Sequence, residues 1–156
     1  MTDLERMLIQ HQCADLVVRF HVYIDEFEHD KILSLFAADA VWYHKFAGTL
    51  RGLDQIKGYL DSKRTNITTQ HVTTNVVIDV VDGTRARGSC YYTYYHSEPH
   101  TPVPILLNGP TAVGRYRDEF VLTEQGWRFS MRNPENLFEA TNVTALSIAK
   151  AGAKWG

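Results

Sequence analysis

The chain has 156 residues, 44% of them apolar, enough for one domain with a real core and too much hydrophobic content for disorder. A balance of 16 basic against 18 acidic side chains excludes a surface built for nucleic acid. Two cysteines, Cys13 and Cys90, make no disulfide framework, no Cys/His pattern has zinc spacing, and no apolar run approaches the roughly 18 residues of a membrane span.

A first helix is predicted from Asp3 to about Ile24, capped by Thr2 or Asp3, because Ile9, Cys13, Leu16, Phe20, Tyr23 and Phe27 recur at steps of three and four. The polar start, Met1 to Arg6, has no signal-peptide character, so the expected compartment is a reducing cytoplasm. A second helix is expected from Lys31 to Ala37 behind Asp30, then a strand from Ala40 to His44 and an extended piece, Thr49 to Arg51, bracketed by Gly48 and Gly52. Leu53 to Lys63 reads as a third helix with Ile56, Tyr59 and Leu60 inward.

The period then changes. Thr68 to Val81 is rich in Val, Ile and Thr and reads as a long strand; Asp82-Gly83 is a hairpin turn; Thr84 to Ser97 returns. Pro99, Pro102, Pro104 and Pro110 make Glu98 to Pro110 a loop or edge excursion. Val113 to Thr123 is a further strand, and Trp127 to Arg132 a last one, ended by Pro134; a short helix is expected over 142–151. Helices first and antiparallel strands after mean an α+β fold in one domain, with the helices laid across a strongly bent sheet that leaves a cone.

Chemistry centres on Asp25. It stands where the first helix ends, at the unfavourable end of the macrodipole, which predicts a partner elsewhere; the candidate is His71, although a lone strand histidine is more often structural. By parity His71, Thr73, Asn75 and Val77 share one face, and Val72, Val76, Ile78 and Val80 lie mostly on the other. That reads as a strand half lining a polar pocket, its apolar face covered by another copy of the chain. On the returning strand Cys90, Tyr92, Tyr94 and His96 share a face, and tyrosines with an apolar body and a hydroxyl tip suit a ring-shaped ligand. Arg132 is either solvated or turned inward as a permanent cation.

These residues resemble a family. Tyr23-Ile24-Asp25, Leu33 to Ala40, Gly48 to Gly52, Gln70 to Asn75 and Gly126 to Ser130 are together similar to the SnoaL-like branch of the nuclear transport factor 2-like superfamily, over roughly residues 5–135, with a tail beyond. The active-site pattern is similar to that of the dehydrochlorinases and dehydratases of that branch. The resemblance implies a cone-shaped α+β barrel and an Asp25–His71 dyad. It places Arg132 at a catalytic arginine and Trp42 at a pocket-wall tryptophan. Phe20 stands where a polar helper is usual, one turn before the aspartate.

The candidate set is therefore catalytic Asp25, His71 and Arg132, and substrate-binding Phe20, Trp42, Cys90, Tyr92, Tyr94, His96 and Phe120. The expected activity is a β-elimination, most readily of water, or an isomerisation, on a small hydrophobic cyclic substrate, with no cofactor and no metal. The partners expected are that substrate and further copies of the chain, a trimer before a dimer, as the resemblance implies. The alternatives are the non-catalytic small subunit of a ring-hydroxylating dioxygenase, a small-molecule binding module, and an epoxide hydrolase.

Overall fold

The computed structural model describes residues 1–98 and 101–141; the helix expected over 142–151 lies outside them. The elements are α1 (Asp3–Asp25), α2 (His29–Leu33), β1 (Phe36–His44), β2 (Gly48–Arg51), α3 (Gly52–Ser62), β3 (Thr68–Val80), β4 (Arg85–Ser97), β5 (Ala112–Thr123) and β6 (Gly126–Glu139).

Helix α1 starts with a capping box: Thr2 accepts from the Glu5 N–H, and the Glu5 carboxylate accepts from the Thr2 N–H. Its buried stripe is Ile9, Cys13, Leu16, Val17, Phe20, His21 and Ile24. Toward its C-terminus that stripe turns to His21 and Ile24 rather than to Tyr23, which is half-buried.

Helix α2 is shorter than predicted. Its cap is Glu28 and it ends at Leu33, because the next residues are drawn into the sheet. The Phe129 N–H donates to the Leu35 carbonyl at 2.9 Å, and Phe36 pairs with Phe129. Pro134 does not end the last strand, which runs on to Glu139. Pairing of β1 with β6 reaches only to Trp42 opposite Arg132, so beyond that point β6 has a side where a missing N–H costs no ladder bond.

The six strands form one open sheet in the order β2-β1-β6-β5-β4-β3. It is mixed rather than wholly antiparallel: β1 and β6 run parallel, and the other neighbours run antiparallel. Two helices and five strands contribute to the wall of one cavity, so the sheet wraps around it. Aromatic rings close the base of the cone: Phe20 meets Trp42 edge-on at 5.4 Å and Phe129 at 6.1 Å, and Phe120 packs on Phe129 at 5.1 Å.

A bulge in β3 corrects the parity of that strand. Thr74 pairs with Tyr91 and Val77 with Ser89, leaving one extra residue on β3, and Asn75 takes a left-handed φ of 53°. Beyond the bulge the faces exchange. Ile78 is buried, and Val76 and Val80 pack against the core, on the same side as His71 and Thr73. The apolar residues left outside are Val72 and Val77. The continuous apolar outer face expected on β3 therefore does not exist.

Close approach of strands fixes Gly114. A Cβ there would lie 2.3 Å from the Glu135 carbonyl oxygen and 2.7 Å from the Tyr92 hydroxyl. A backbone atom cannot step aside as a side chain can. Gly114→Ala is expected to destabilise the fold by about 1–3 kcal/mol, read as a lower urea midpoint. A midpoint unchanged from wild type would show that the two strands are not held this closely.

Candidate active site

Asp25 is the last residue of α1, and nothing basic stands in the final turn to offset the dipole. The sheet compensates. The Asp25 carboxylate accepts from the His71 backbone N–H at 2.6 Å, from the Thr69 hydroxyl at 2.9 Å, and from His71 Nδ1 at 2.7 Å. Burial alone would raise the Asp25 pKa; the bonds from His71 and Thr69 and the nearby imidazole outweigh it and hold the carboxyl below its ordinary value. An ionised carboxylate only accepts, so Nδ1 of His71 carries the proton and Nε2 holds a lone pair. The His71 ring lines the cavity, and Asp25 lies behind it.

That cavity holds about 520 Å³, the size of a small organic ligand. Its apolar wall is Phe20, Ile24, Trp42, Phe46, Ala112 and the ring of Tyr116. Tyr94 lies against His71 with ring centroids 4.6 Å apart, and its hydroxyl meets Nδ1 of His96 at 3.3 Å. The Tyr92 hydroxyl donates to Oδ1 of Asn136. Burial pushes the Tyr92 and Tyr94 hydroxyls up and the His96 pKa down, so all three are neutral at pH 7. Lys45, Lys63, Arg64 and Glu139 supply the charged part of the wall.

Three candidates do not line the cavity. Cys90 and Phe120 are packed in the closed core: Cys90 sits opposite Tyr116 on the inner face, and Phe120 sits under Phe129. Arg132 is not solvated, and it does not reach the ligand space either. It is fully buried, its guanidinium 4.0 Å from the ring centres of both Phe20 and Tyr116, and it donates to Asp118 at 3.2 Å and to Nε2 of His21 at 3.2 Å. Arginine cannot accept, so His21 Nε2 is unprotonated, and Nδ1 donates to the Thr73 hydroxyl at 2.6 Å. Burial and then the Arg132 charge hold the His21 pKa far below its usual value. This neutral imidazole stacks on His71, 5.2 Å centre to centre.

His21 is a site residue that the sequence reading passed over. It stands three residues before Ile24 and four after Val17 on the buried stripe, so the signal was a histidine at core spacing beside Asp25. Tyr59 and His44 were passed over in the same way, one read as core and the other as strand end. The Tyr59 hydroxyl and His44 Nε2 are 2.7 Å apart, while His44 Nδ1 accepts the N–H groups of Phe46 and Ala47, each at 3.2 Å. Burial lowers the His44 pKa to about 4. Nδ1 of this neutral ring is an acceptor, so Nε2 bears the proton and donates to Tyr59, whose own hydroxyl proton is left for another acceptor.

Among the described residues no three His, Cys, Asp or Glu side chains cluster as metal ligands, and no helix is long and apolar enough to cross a membrane.

Comparison with curated protein sequences finds no match. Solved structures share the architecture. A proposed scytalone dehydratase of Novosphingobium aromaticivorans superposes with a TM-score of 0.75 at 20% identity, covering 90% of this chain and 91% of that one. A type 2 hexachlorocyclohexane dehydrochlorinase (LinA) superposes with a TM-score of 0.74 at 17% identity, over 89% of this chain and 92% of its own. A nuclear transport factor 2-like protein with a cystatin-like fold, also from Novosphingobium aromaticivorans, gives 0.68 at 19% identity, over 96% and 92%. Identities this low speak for the fold alone. The family model of the SnoaL-like domain matches residues 5–133, most of the chain. The chain belongs to the SnoaL-like family.

Proposed function

We propose that this chain is a lyase or isomerase that uses His71 as a general base on a small, largely hydrophobic, cyclic substrate. The observation that carries the reading is the set of the His71 ring: Nδ1 is fixed by an ionised Asp25, and the ring borders a cavity of ligand size. In this reading Nε2 takes a proton from a substrate carbon. The C–H electrons become the new double bond, the β C–O bond breaks, and the departing hydroxide takes a proton and leaves as water. In this reading Tyr94, against the His71 ring with its hydroxyl beside His96, supplies that proton. Asp25 steadies the imidazolium as it forms. Arg132 acts at one remove: it fixes the tautomer of His21, whose ring lies on His71. No step needs a cofactor.

Similarity to structures named as a dehydratase and a dehydrochlorinase agrees with an elimination but does not select the leaving group. A scaffold subunit can use the Asp25 bonds to anchor α1, but it has no use for an imidazole nitrogen left bare at the edge of a ligand-sized cavity. Self-association belongs to the same proposal, a trimer before a dimer, with exposed Leu4, Met7, Leu8, Val18 and Val22 of α1 as apolar surface available to it.

A panel of cyclic β-hydroxy ketones, followed by NMR in D₂O, tests the chemistry. Loss of water or deuterium entry at the carbon next to the carbonyl is the expected result. His71→Ala should lower kcat/KM by about 10²- to 10⁴-fold with the fold intact by circular dichroism. Asp25→Asn, which presents an amide N–H to the ring and disturbs its tautomer, should cost a comparable factor. Full turnover in His71→Ala refutes the assignment.

The neutral histidines make a second prediction, on stability. His21 and His44 have folded pKa values below the ordinary value of about 6.5, so the unfolded chain binds more protons than the folded one as pH falls through that value. Stability therefore drops from about pH 6.5 toward pH 4. Asp118, lifted to about 6 by burial against the pull of Arg132, works in the opposite sense over part of that range. Urea midpoints taken from pH 7.5 to 4.5 should fall, and His44→Gln should flatten the slope. A His44→Gln profile with the same slope as the wild type would show that this ring does not stay neutral in the folded chain.

A further inference from the structure

The elimination reading leaves a charge unattended. When His71 removes a proton, negative charge grows on the substrate, and Arg132 cannot reach it through Phe20 and Tyr116. The wall on the β1 side of the cavity is rich in donors instead. Tyr59, on α3, receives a hydrogen bond from His44 and has its own proton to give. Four residues on, Lys63 caps the same helix and lines the same cavity. The indole N–H of Trp42, in the same wall, has no acceptor among the described residues.

The neighbouring charges are otherwise engaged. Lys45 pairs with Glu139, Arg64 lies 3.8 Å from Glu98, and Asp25 is held by His71 and Thr69. His44 and His96 are kept neutral by burial. The Lys63 ammonium has no hydrogen-bonded or ion-paired partner among the described residues, and only the more distant Asp25 charge favours it. Burial brings the Lys63 pKa down to about 8, so the amine is still mostly charged at pH 7.

We propose that Tyr59 and Lys63 form an oxyanion subsite, and that the ligand of this cavity carries an anionic oxygen held between the Tyr59 hydroxyl and the Lys63 ammonium. This rests on the elimination reading for its catalytic meaning but not for its binding. Such an oxygen has two sources. It can be a carboxylate that the substrate already bears. It can also be an enolate oxygen, formed when His71 takes a proton next to a carbonyl: the C–H pair becomes a C=C bond, and the carbonyl π pair moves onto oxygen. In both cases Tyr59 donates a hydrogen bond that His44 strengthens by donating to the same hydroxyl, and the half-buried Lys63 supplies a positive charge.

Three probes test this without any turnover: 4-nitrophenol, whose ionisation is visible by absorbance, 2-naphthoate, and the neutral 2-naphthamide. The wild type should bind 4-nitrophenolate at least tenfold tighter than 4-nitrophenol, seen as growth of the phenolate band on adding protein below the phenol's own pKa. Lys63→Met should abolish that preference, and Tyr59→Phe should weaken it several-fold. Lys63→Gln stands in if the methionine variant does not fold. If 2-naphthoate also outcompetes 2-naphthamide, and loses that advantage as pH rises past about 8, the oxygen is a carboxylate of the substrate; preference for the phenolate alone assigns it to the enolate. His71→Ala should keep the anion preference, so failure of the base assignment and failure of this subsite are separable. Equal affinity for charged and neutral probes, no binding of any of them, or a preference that survives in both Lys63 variants overturns the proposal.

Discussion

The contact between the end of α1 and the start of β3 governs the rest. A carboxylate at a helix C-terminus is repelled by the carbonyls behind it, and Asp25 is stable there only because β3 offers a backbone N–H, a hydroxyl and a ring N–H within 2.9 Å. The same three bonds serve structure and chemistry. They tie the first helix to a strand 44 residues and more away in sequence, and they leave Nε2 of the cavity-lining imidazole without a proton. Loss of Asp25 is therefore a loss of both anchorage and tautomer, which is why the amide variant is a sharper probe than alanine.

Behind this contact lies a second, closed layer of polar groups. Asp118, Arg132 and His21 run in a chain through the core, sealed from the cavity by aromatic rings. A fully buried ion pair is a doubtful source of stability, because desolvation cancels much of the attraction. Its evident effect here is orientation. The guanidinium fixes which nitrogen of His21 is bare, His21 stays neutral, and that neutral ring stacks on His71. The Arg132 charge is kept one ring away from His71 rather than beside it.

Much of the fold was legible in the sequence. The helix period of α1, the Val/Thr-rich run of β3 and the Asp82-Gly83 turn speak through local chemistry alone, and together with the family signs they gave the α+β class. What was not legible depends on long-range pairing. Phe36 looks like a helix residue until Phe129 pairs with it. Pro134 looks like a terminus until β1 proves too short to need its N–H. For the site, the positions of Asp25 and His71 were marked by residue type and helix end. Arg132, Cys90 and Phe120 were placed by likeness or by strand parity, and neither of those reports which side of a ring a side chain lies on. His21, His44 and Tyr59 were hidden because a polar residue at core spacing reads as packing until its partner is known.

The extra residue at Asn75 divides β3 into two stretches that obey different rules. Above it, Thr69 and His71 border the cavity and can change with what fills it; below it, Ile78 and Val80 meet hydrocarbon and must stay greasy. A strand of uniform alternation would couple the two, since a slip that retuned one end would turn the other inside out. With the break in place a lineage can rewrite the cavity end without unfolding the stem, and this is a physical route by which one scaffold comes to serve unlike uses.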